Sequence, residues 1–184
     1  MNYKLLINKI IIIFIVLKII TFSNLLFSES FSDFEEQLLP EIIIFDENKL
    51  QTKLSSYIKN SDYRLIIINF WATWCPPCIE ELPSLNRLAI KVEEQGINIL
   101  AISMDRGDEK QLYDFLKQNG GDKLKFFQDK NWSAGKSLPI RGLPVTLLVK
   151  KNKNEMKIIY KHEGPLKWDS KEVENKILSL VDNI

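Results

Sequence analysis

Two patterns of hydrophobic and polar positions alternate along the chain and predict strands interleaved with helices. Continuous apolar runs, of which 65–70 is the clearest, are typical of strands buried on both faces. The predicted strands are 41–45, 65–70, 97–103, 124–127, 145–150 and 156–161. Apolar residues spaced three and four positions apart predict helices. These helices are 54–58, 76–94, 109–119, 132–138 and 170–181. Helices between strands imply parallel crossovers, and the closing hairpin adds antiparallel edges, so the pattern predicts a mixed sheet flanked by helices.

The N-terminal segment follows a different pattern. Lys4 and Lys9 precede an apolar run over 10–17, which Lys18 separates from a second run over 19–22. A basic start followed by a short apolar stretch is typical of a secretory signal peptide. The first run alone is shorter than the roughly 20 residues that a spanning helix prefers, although a long lysine stem can snorkel within a longer anchor.

Residues 1–30 are therefore predicted to be a signal peptide cleaved after Ser30 or an uncleaved membrane anchor, and both remain open. In both cases the protein is exported, and we expect it in the periplasm, soluble after cleavage or anchored to the inner membrane. The 184 residues are 45% hydrophobic, which predicts one globular domain over 31–184. The net charge is +1 and there is no basic stripe, so no electrostatic feature points to nucleic acid.

Cys75 and Cys78 are the two cysteines of the chain, and they follow the strand 65–70 where a helix begins. A thiol at a helix N-terminus faces unpaired backbone N–H groups, which favour its thiolate. A second thiol one turn further on can resolve a mixed disulfide. A purely structural disulfide between these residues would close a very short loop, so it would remove little conformational entropy from the unfolded chain. The spacing therefore predicts a reversible dithiol/disulfide centre.

Four segments carry a resemblance to a known family. Residues 69–83, Asn-Phe-Trp-Ala-Thr-Trp-Cys-Pro-Pro-Cys-Ile-Glu-Glu-Leu-Pro, resemble the active-site segment of the TlpA/ResA-like thioredoxin-fold thiol:disulfide oxidoreductases, and residues 163–169 are similar to TlpA-type members of that family. The segments 39–41, 141–146 and 163–169 match in the same order, so the resemblance covers about 39–183. It implies an α/β thioredoxin-like fold over 31–184, with a central mixed sheet, an N-terminal addition and a central insertion.

The resemblance also implies catalytic roles. Cys75, the exposed first thiol, would be the nucleophile, and Cys78 would be the resolving thiol. Glu81 matches an acidic active-site position and would move protons at Cys78; the alternative is an exposed helix carboxylate. Many thioredoxins bury an acid six residues before the first cysteine, whereas Asn69 occupies that position here and cannot titrate. This departure leaves proton transfer to Glu81 or water.

Five further residues are predicted to bind the substrate. Trp74, Pro76 and Pro77 would shape the docking surface, and Leu143 would offer its backbone to an extended peptide. The resemblance implies a cis peptide bond at Leu143–Pro144, facing the cysteines. Three other tryptophans are interpreted as structural: Trp71, Trp132 and Trp168.

The predicted function is that of an exported protein-disulfide reductase. Its implied targets are copper-site or haem-site cysteines of respiratory proteins and their chaperones, as in cytochrome biogenesis, and its implied electron donor is a membrane thiol protein. The chemistry needs no cofactor, and no metal site is predicted, because structural zinc needs four ligands.

Three alternative functions remain. The first is a disulfide-forming oxidase with the same motif, and the second is a peroxidase, for which no Thr-x-x-Cys pattern is present. The third is a copper-binding chaperone. The copper site would comprise Cys75, Cys78 and His162, which is otherwise interpreted as a solvated residue.

Overall fold

A computed structural model of the protein describes residues 35–153 and 155–182. The predicted signal peptide or anchor over 1–30 lies outside these residues. Within them, no helix combines the length and the apolar character needed to cross a membrane.

The described residues form eight strands and five α-helices. The strands are β1 (Gln37–Leu38), β2 (Ile43–Phe45), β3 (Gln51–Lys53), β4 (Leu65–Trp71), β5 (Ile97–Ser103), β6 (Lys125–Gln128), β7 (Val145–Asn152) and β8 (Glu155–Glu163). The helices are α1 (Leu54–Lys59), α2 (Pro76–Val92), α3 (Glu109–Gln118), α4 (Ser133–Ser137) and α5 (Lys171–Asp182). A 3₁₀ turn over Glu93–Gln95 follows α2, and Gly96 ends it with a left-handed φ of 74°.

One mixed sheet contains all eight strands in the order β1-β8-β7-β4-β5-β6-β2-β3. The strand β4 runs parallel to β5, and β5 runs parallel to β6. On the other side, β4 pairs antiparallel with β7, which pairs antiparallel with β8. The predicted mixed α/β class and thioredoxin-like fold are confirmed.

The central position of β4 decides where the two cysteines lie. All seven residues of β4 are buried, as its continuous apolar pattern predicts. Because β4 and β5 are parallel, their carboxyl ends meet at one edge of the sheet, where Met104 N–H donates to Trp71 C=O at 2.8 Å. The antiparallel strand β7 begins at the same edge, with Val145 opposite Phe70. Three loops therefore converge beyond this edge.

The short edge strands are the main difference from the sequence prediction. We expected a polar lead-in at Gln37–Leu38 and assigned no strand to Gln51–Lys53. The first pairs with β8 and the second with β2. Edge strands are held by main-chain hydrogen bonds and are mostly solvated, so they need no apolar pattern. The other elements differ from the prediction by a few residues at their ends.

Candidate active site

The two cysteines form a disulfide at the N-terminus of α2. Cys75 is the N-cap residue, with an extended backbone, and its Cα lies 5.3 Å from that of Cys78. The N–H groups of Cys78 and Ile79 donate to Cys75 C=O at 3.1 and 3.2 Å. Pro76 and Pro77 begin the helix, where a missing N–H leaves no hydrogen bond unmade. The helix therefore presents its positive end to the sulfur of Cys75.

Both cysteines are buried, and they differ slightly in access to solvent. Cys78 is fully buried, while Cys75 keeps 5% of its surface exposed. Cys75 is the more exposed of the two cysteines, as expected, but in the disulfide its exposure is far below that expected of an exposed thiol. The neighbouring Trp74 is 64% exposed, and Pro76 is also exposed, whereas Pro77 is half-buried. Trp74 therefore presents an exposed apolar surface next to Cys75 in the sequence.

Asp105 holds the loop that leads into the disulfide, and the sequence analysis did not identify it. Its carboxylate accepts hydrogen bonds from Thr73 N–H at 3.0 Å and from Thr73 Oγ1 at 2.8 Å. Ser103 Oγ donates a third hydrogen bond at 2.8 Å. The available sequence signal was the position of Asp105 just after β5, the parallel neighbour of β4. This carboxylate orders the backbone immediately before Cys75.

Glu81 is a buried carboxylate one helical turn after Cys78. It is 3% exposed, so the alternative of an exposed helix carboxylate is wrong. Asn69 Nδ2 donates to its Oε1 at 2.7 Å, while Leu166 N–H and Trp168 Nε1 donate to its Oε2 at 3.0 and 2.8 Å. Burial raises the pKa of Glu81 above its ordinary value, and these hydrogen bonds offset only part of that increase. A carboxyl with a raised pKa and a fixed geometry is suited to accept and return a proton.

Asn69 links Glu81 to the sheet. Its Nδ2 also donates to Thr146 Oγ1 at 3.0 Å, and Thr146 lies directly opposite it on β7. The side-chain amide therefore donates two hydrogen bonds, whereas its buried Oδ1 has no hydrogen-bond partner among the described residues. The neutral Asn69 positions Glu81 from the sheet side.

His162 is packed against Trp168 and is not solvated as predicted. The two rings meet edge to face with their centroids 5.9 Å apart, and the imidazole is half-buried. Burial lowers the pKa of His162 below its ordinary value of 6.5. The prediction failed because the segment after β8, which carries Trp168, packs against His162 near the end of that strand. No group of three or more potential metal ligands occurs in the described part of the chain, so Cys75, Cys78 and His162 do not converge on a metal site.

The predicted Leu143–Pro144 segment lies directly before β7. Its peptide bond is cis, as the resemblance implies. Pro144 is buried and Leu143 is half-buried. Pro144 C=O accepts a hydrogen bond from Gly164 N–H at 2.9 Å. Since β7 begins where β4 ends, this segment lies at the sheet edge that also carries the loop of Cys75.

Comparisons with known proteins agree with this geometry. Residues 29–158 match the AhpC/TSA family. Thiol-disulfide oxidoreductase ResA of Geobacillus thermodenitrificans is 28% identical over 120 residues, which cover 65% of this chain and 66% of that protein. Thiol:disulfide interchange protein DsbE of Pasteurella multocida is 34% identical over 109 residues, which cover 58% of this chain and 56% of that protein. The chain thus spans about two thirds or less of the length of these curated relatives.

A solved structure supports the same fold. A candidate thiol:disulfide interchange protein DsbE from Chlorobium tepidum superposes with a TM-score of 0.65 at 23% identity, covering 82% of this chain and 99% of that one. Fold and site together define the class as thioredoxin-like proteins with a Cys-x-x-Cys disulfide at a helix N-terminus. Within that class the chain belongs to the AhpC/TSA family. The resemblance to TlpA/ResA-like proteins is confirmed by the ResA and DsbE relatives.

Proposed function

We propose that the protein is a thiol:disulfide oxidoreductase that reduces disulfides of other exported proteins. The observation that carries this proposal is the Cys75–Cys78 disulfide at the N-terminus of α2, with Cys78 fully buried and Cys75 5% exposed. A pair that closes so short a loop contributes little stability, so chemistry explains it better than structure. The relatives named ResA and DsbE support thiol:disulfide exchange as the reaction.

The reaction is two successive exchanges. The Cys75 thiolate attacks one sulfur of the target disulfide, forms a mixed disulfide and releases the other target sulfur as a thiolate. Cys78 then attacks the Cys75 sulfur, which releases the second target thiolate and closes the Cys75–Cys78 disulfide. Two electrons pass to the target, and Glu81 accepts the proton that Cys78 loses. A membrane thiol donor then supplies two electrons to reopen the disulfide.

The proposal extends to the docking surface, the location and the targets of the protein. Trp74, Pro76, Pro77, Leu143 and Pro144 form the docking surface for an extended, cysteine-containing segment. Residues 1–30 direct export as a cleaved signal peptide or as an anchor in the inner membrane, and 31–184 form the thioredoxin-like domain. The targets are copper-site or haem-site cysteines of respiratory proteins and their chaperones, as the resemblance to TlpA/ResA-like proteins implies.

The reduction potential of the Cys75–Cys78 couple tests the direction of electron flow. It is measured by equilibrating the purified domain against glutathione or dithiothreitol. A value near or below thioredoxin's approximately −270 mV supports a reductase. A value nearer the approximately −120 mV of a strong oxidant overturns that direction and makes the protein a disulfide-forming oxidase.

A trapping experiment tests the roles of the two thiols. Cys78→Ser removes the resolving thiol, so mixed disulfides with targets should accumulate through Cys75. Cys75→Ser should trap few targets, because the remaining sulfur is buried. Equal trapping by the two variants contradicts the assignment.

A further inference from the structure

The two oxygens of the Glu81 carboxylate are held unequally. Oε2 accepts two hydrogen bonds, both from the segment that follows β8: Leu166 N–H at 3.0 Å and Trp168 Nε1 at 2.8 Å. Oε1 accepts one, from Asn69 Nδ2 at 2.7 Å. A carboxylate oxygen offers two lone-pair sites that can accept hydrogen bonds. Both sites on Oε2 are therefore occupied, while Oε1 keeps one site that can accept a proton.

The segment that holds Oε2 is itself attached to α2. Trp168 N–H donates to Ser84 Oγ at 3.2 Å, and Ser84 Oγ donates to Glu81 C=O at 2.8 Å. The Trp168 side chain is 1% exposed, with His162 against its ring. The indole N–H therefore has a fixed direction, as a positioning group requires.

We infer that Trp168 is a positioning residue for Glu81, whose Oε2 it holds so that Oε1 is the atom that accepts and returns the proton of Cys78. The inference rests on the proposed function, since it concerns proton transfer in thiol–disulfide exchange. Protonation at Oε1 keeps the hydrogen bonds from Leu166, Trp168 and Asn69, whereas protonation at Oε2 breaks one of them. This assignment gives a functional role to a tryptophan that the sequence analysis considered structural.

The titratable and charged groups around Glu81 come from α2, from the segment after β8 and from His162. On α2 they are Cys78, Glu80 and Arg87; on the segment after β8 they are Lys167 and Asp169; and His162 lies behind Trp168. Asn69 and Thr146, on the sheet side, are neutral. Removing the indole N–H alone therefore changes one interaction of the carboxylate and none of these charges.

The decisive measurement is the pH midpoint of Glu81 in the reduced protein. It is followed by ¹³C NMR of protein labelled at glutamate side-chain carboxyls, with the Glu81 signal assigned by its loss in Glu81→Gln. Trp168→Phe removes a hydrogen bond to the charged form, so the midpoint should rise by about one pH unit or more. The pH profile for single-turnover reduction of a small disulfide should move in the same direction.

The matched control is Trp71→Phe. Trp71 is also fully buried, but its Nε1 has no hydrogen-bond partner among the described residues. That variant should lose packing contacts, but the pH midpoint of Glu81 should stay unchanged. If Trp168→Phe does not fold, benzothienylalanine at position 168 keeps the ring system and removes only the N–H donor.

The outcomes separate this inference from the proposed function. A midpoint that stays unchanged in the Trp168 variants overturns the inference, even if disulfide exchange proceeds. A wild-type protein that catalyses no disulfide exchange overturns the proposed function, whatever the NMR midpoint. A midpoint that rises in the Trp168 variants and stays in place in Trp71→Phe supports the positioning role.

Discussion

Asn69 on β4 donates a hydrogen bond from Nδ2 to Oε1 of Glu81 on α2 at 2.7 Å. The asparagine occupies the place where many thioredoxins carry a buried acid, and the glutamate lies one turn beyond the second cysteine. The structure joins these two positions in one contact. A neutral amide therefore supports the carboxylate that we propose as the proton acceptor.

Asn69→Asp should make protein stability depend more strongly on pH. Two carboxyls at hydrogen-bond distance cannot both ionise, so the folded pair keeps a proton that the unfolded chain releases. Above pH 5 the unfolded state then binds fewer protons, and stability should fall by up to about 1.4 kcal/mol per pH unit for each proton retained. Urea unfolding between pH 5 and pH 8 measures this slope. The exposed Asn48→Asp is the control, and equal slopes in the two variants would contradict the prediction.

Asp105→Ala should loosen the loop before Cys75. Asp105 is 8% exposed, and its carboxylate accepts hydrogen bonds from Thr73 N–H, Thr73 Oγ1 and Ser103 Oγ. Their loss leaves buried donors unpaired, so we expect a destabilisation of about 2–4 kcal/mol and faster hydrogen exchange at Thr73 N–H.

Urea unfolding and amide exchange of the oxidised protein test this expectation. Asp114→Ala is the control, because Asp114 pairs with Lys110 on the surface, where an ion pair contributes about 0–1 kcal/mol. Similar losses of stability in the two variants would exclude a special role for Asp105.

Trp74→Ala should weaken docking of protein substrates without unfolding the domain. The side chain is 64% exposed, so its removal costs little packing. Exposed aromatic residues at interface centres often contribute more than 1 kcal/mol, so kcat/KM for a protein disulfide should fall about tenfold. Reduction of glutathione disulfide, which makes few surface contacts, should change little.

Leu50→Ala is the control for that experiment. Leu50 is 66% exposed and directly precedes the edge strand β3, which three other strands separate from β4 in the sheet. If this variant slows protein reduction as much as Trp74→Ala, the docking assignment is wrong.

His162→Gln should reduce the loss of stability in mild acid. Burial against Trp168 lowers the pKa of His162, so the unfolded chain binds a proton more readily than the folded protein. The contribution of His162 is therefore complete above pH 6.5 and is lost as the pH falls through the lowered pKa. The difference in unfolding free energy between wild type and variant should narrow between pH 7 and pH 5. Urea unfolding measures this difference. A difference that stays constant with pH would show that His162 has the same pKa in the folded and unfolded states, which contradicts the prediction.

Local patterns account for most of what the sequence predicted correctly. The continuous apolar run of β4 requires burial on both faces, and Pro76 favours a helix start, so strand, cysteine pair and helix follow from neighbouring residues. The edge strands β1 and β3 escaped prediction; Gln51–Lys53, for example, carries no apolar alternation and pairs with β2 alone.

The sequence by itself determined the order of the five helices and of six of the eight described strands, and it determined the position of Cys75 and Cys78 at a helix N-terminus, because these features depend on residues close together in the chain. Only the tertiary structure decided that Glu81 is buried, that Trp168, 87 residues away, donates to it, and that Asp105 holds the loop of Thr73. Such contacts depend on which strands pair and on how the segment after β8 folds back over α2. A hydrogen bond between distant side chains has no periodicity, so no pattern along the chain reveals it.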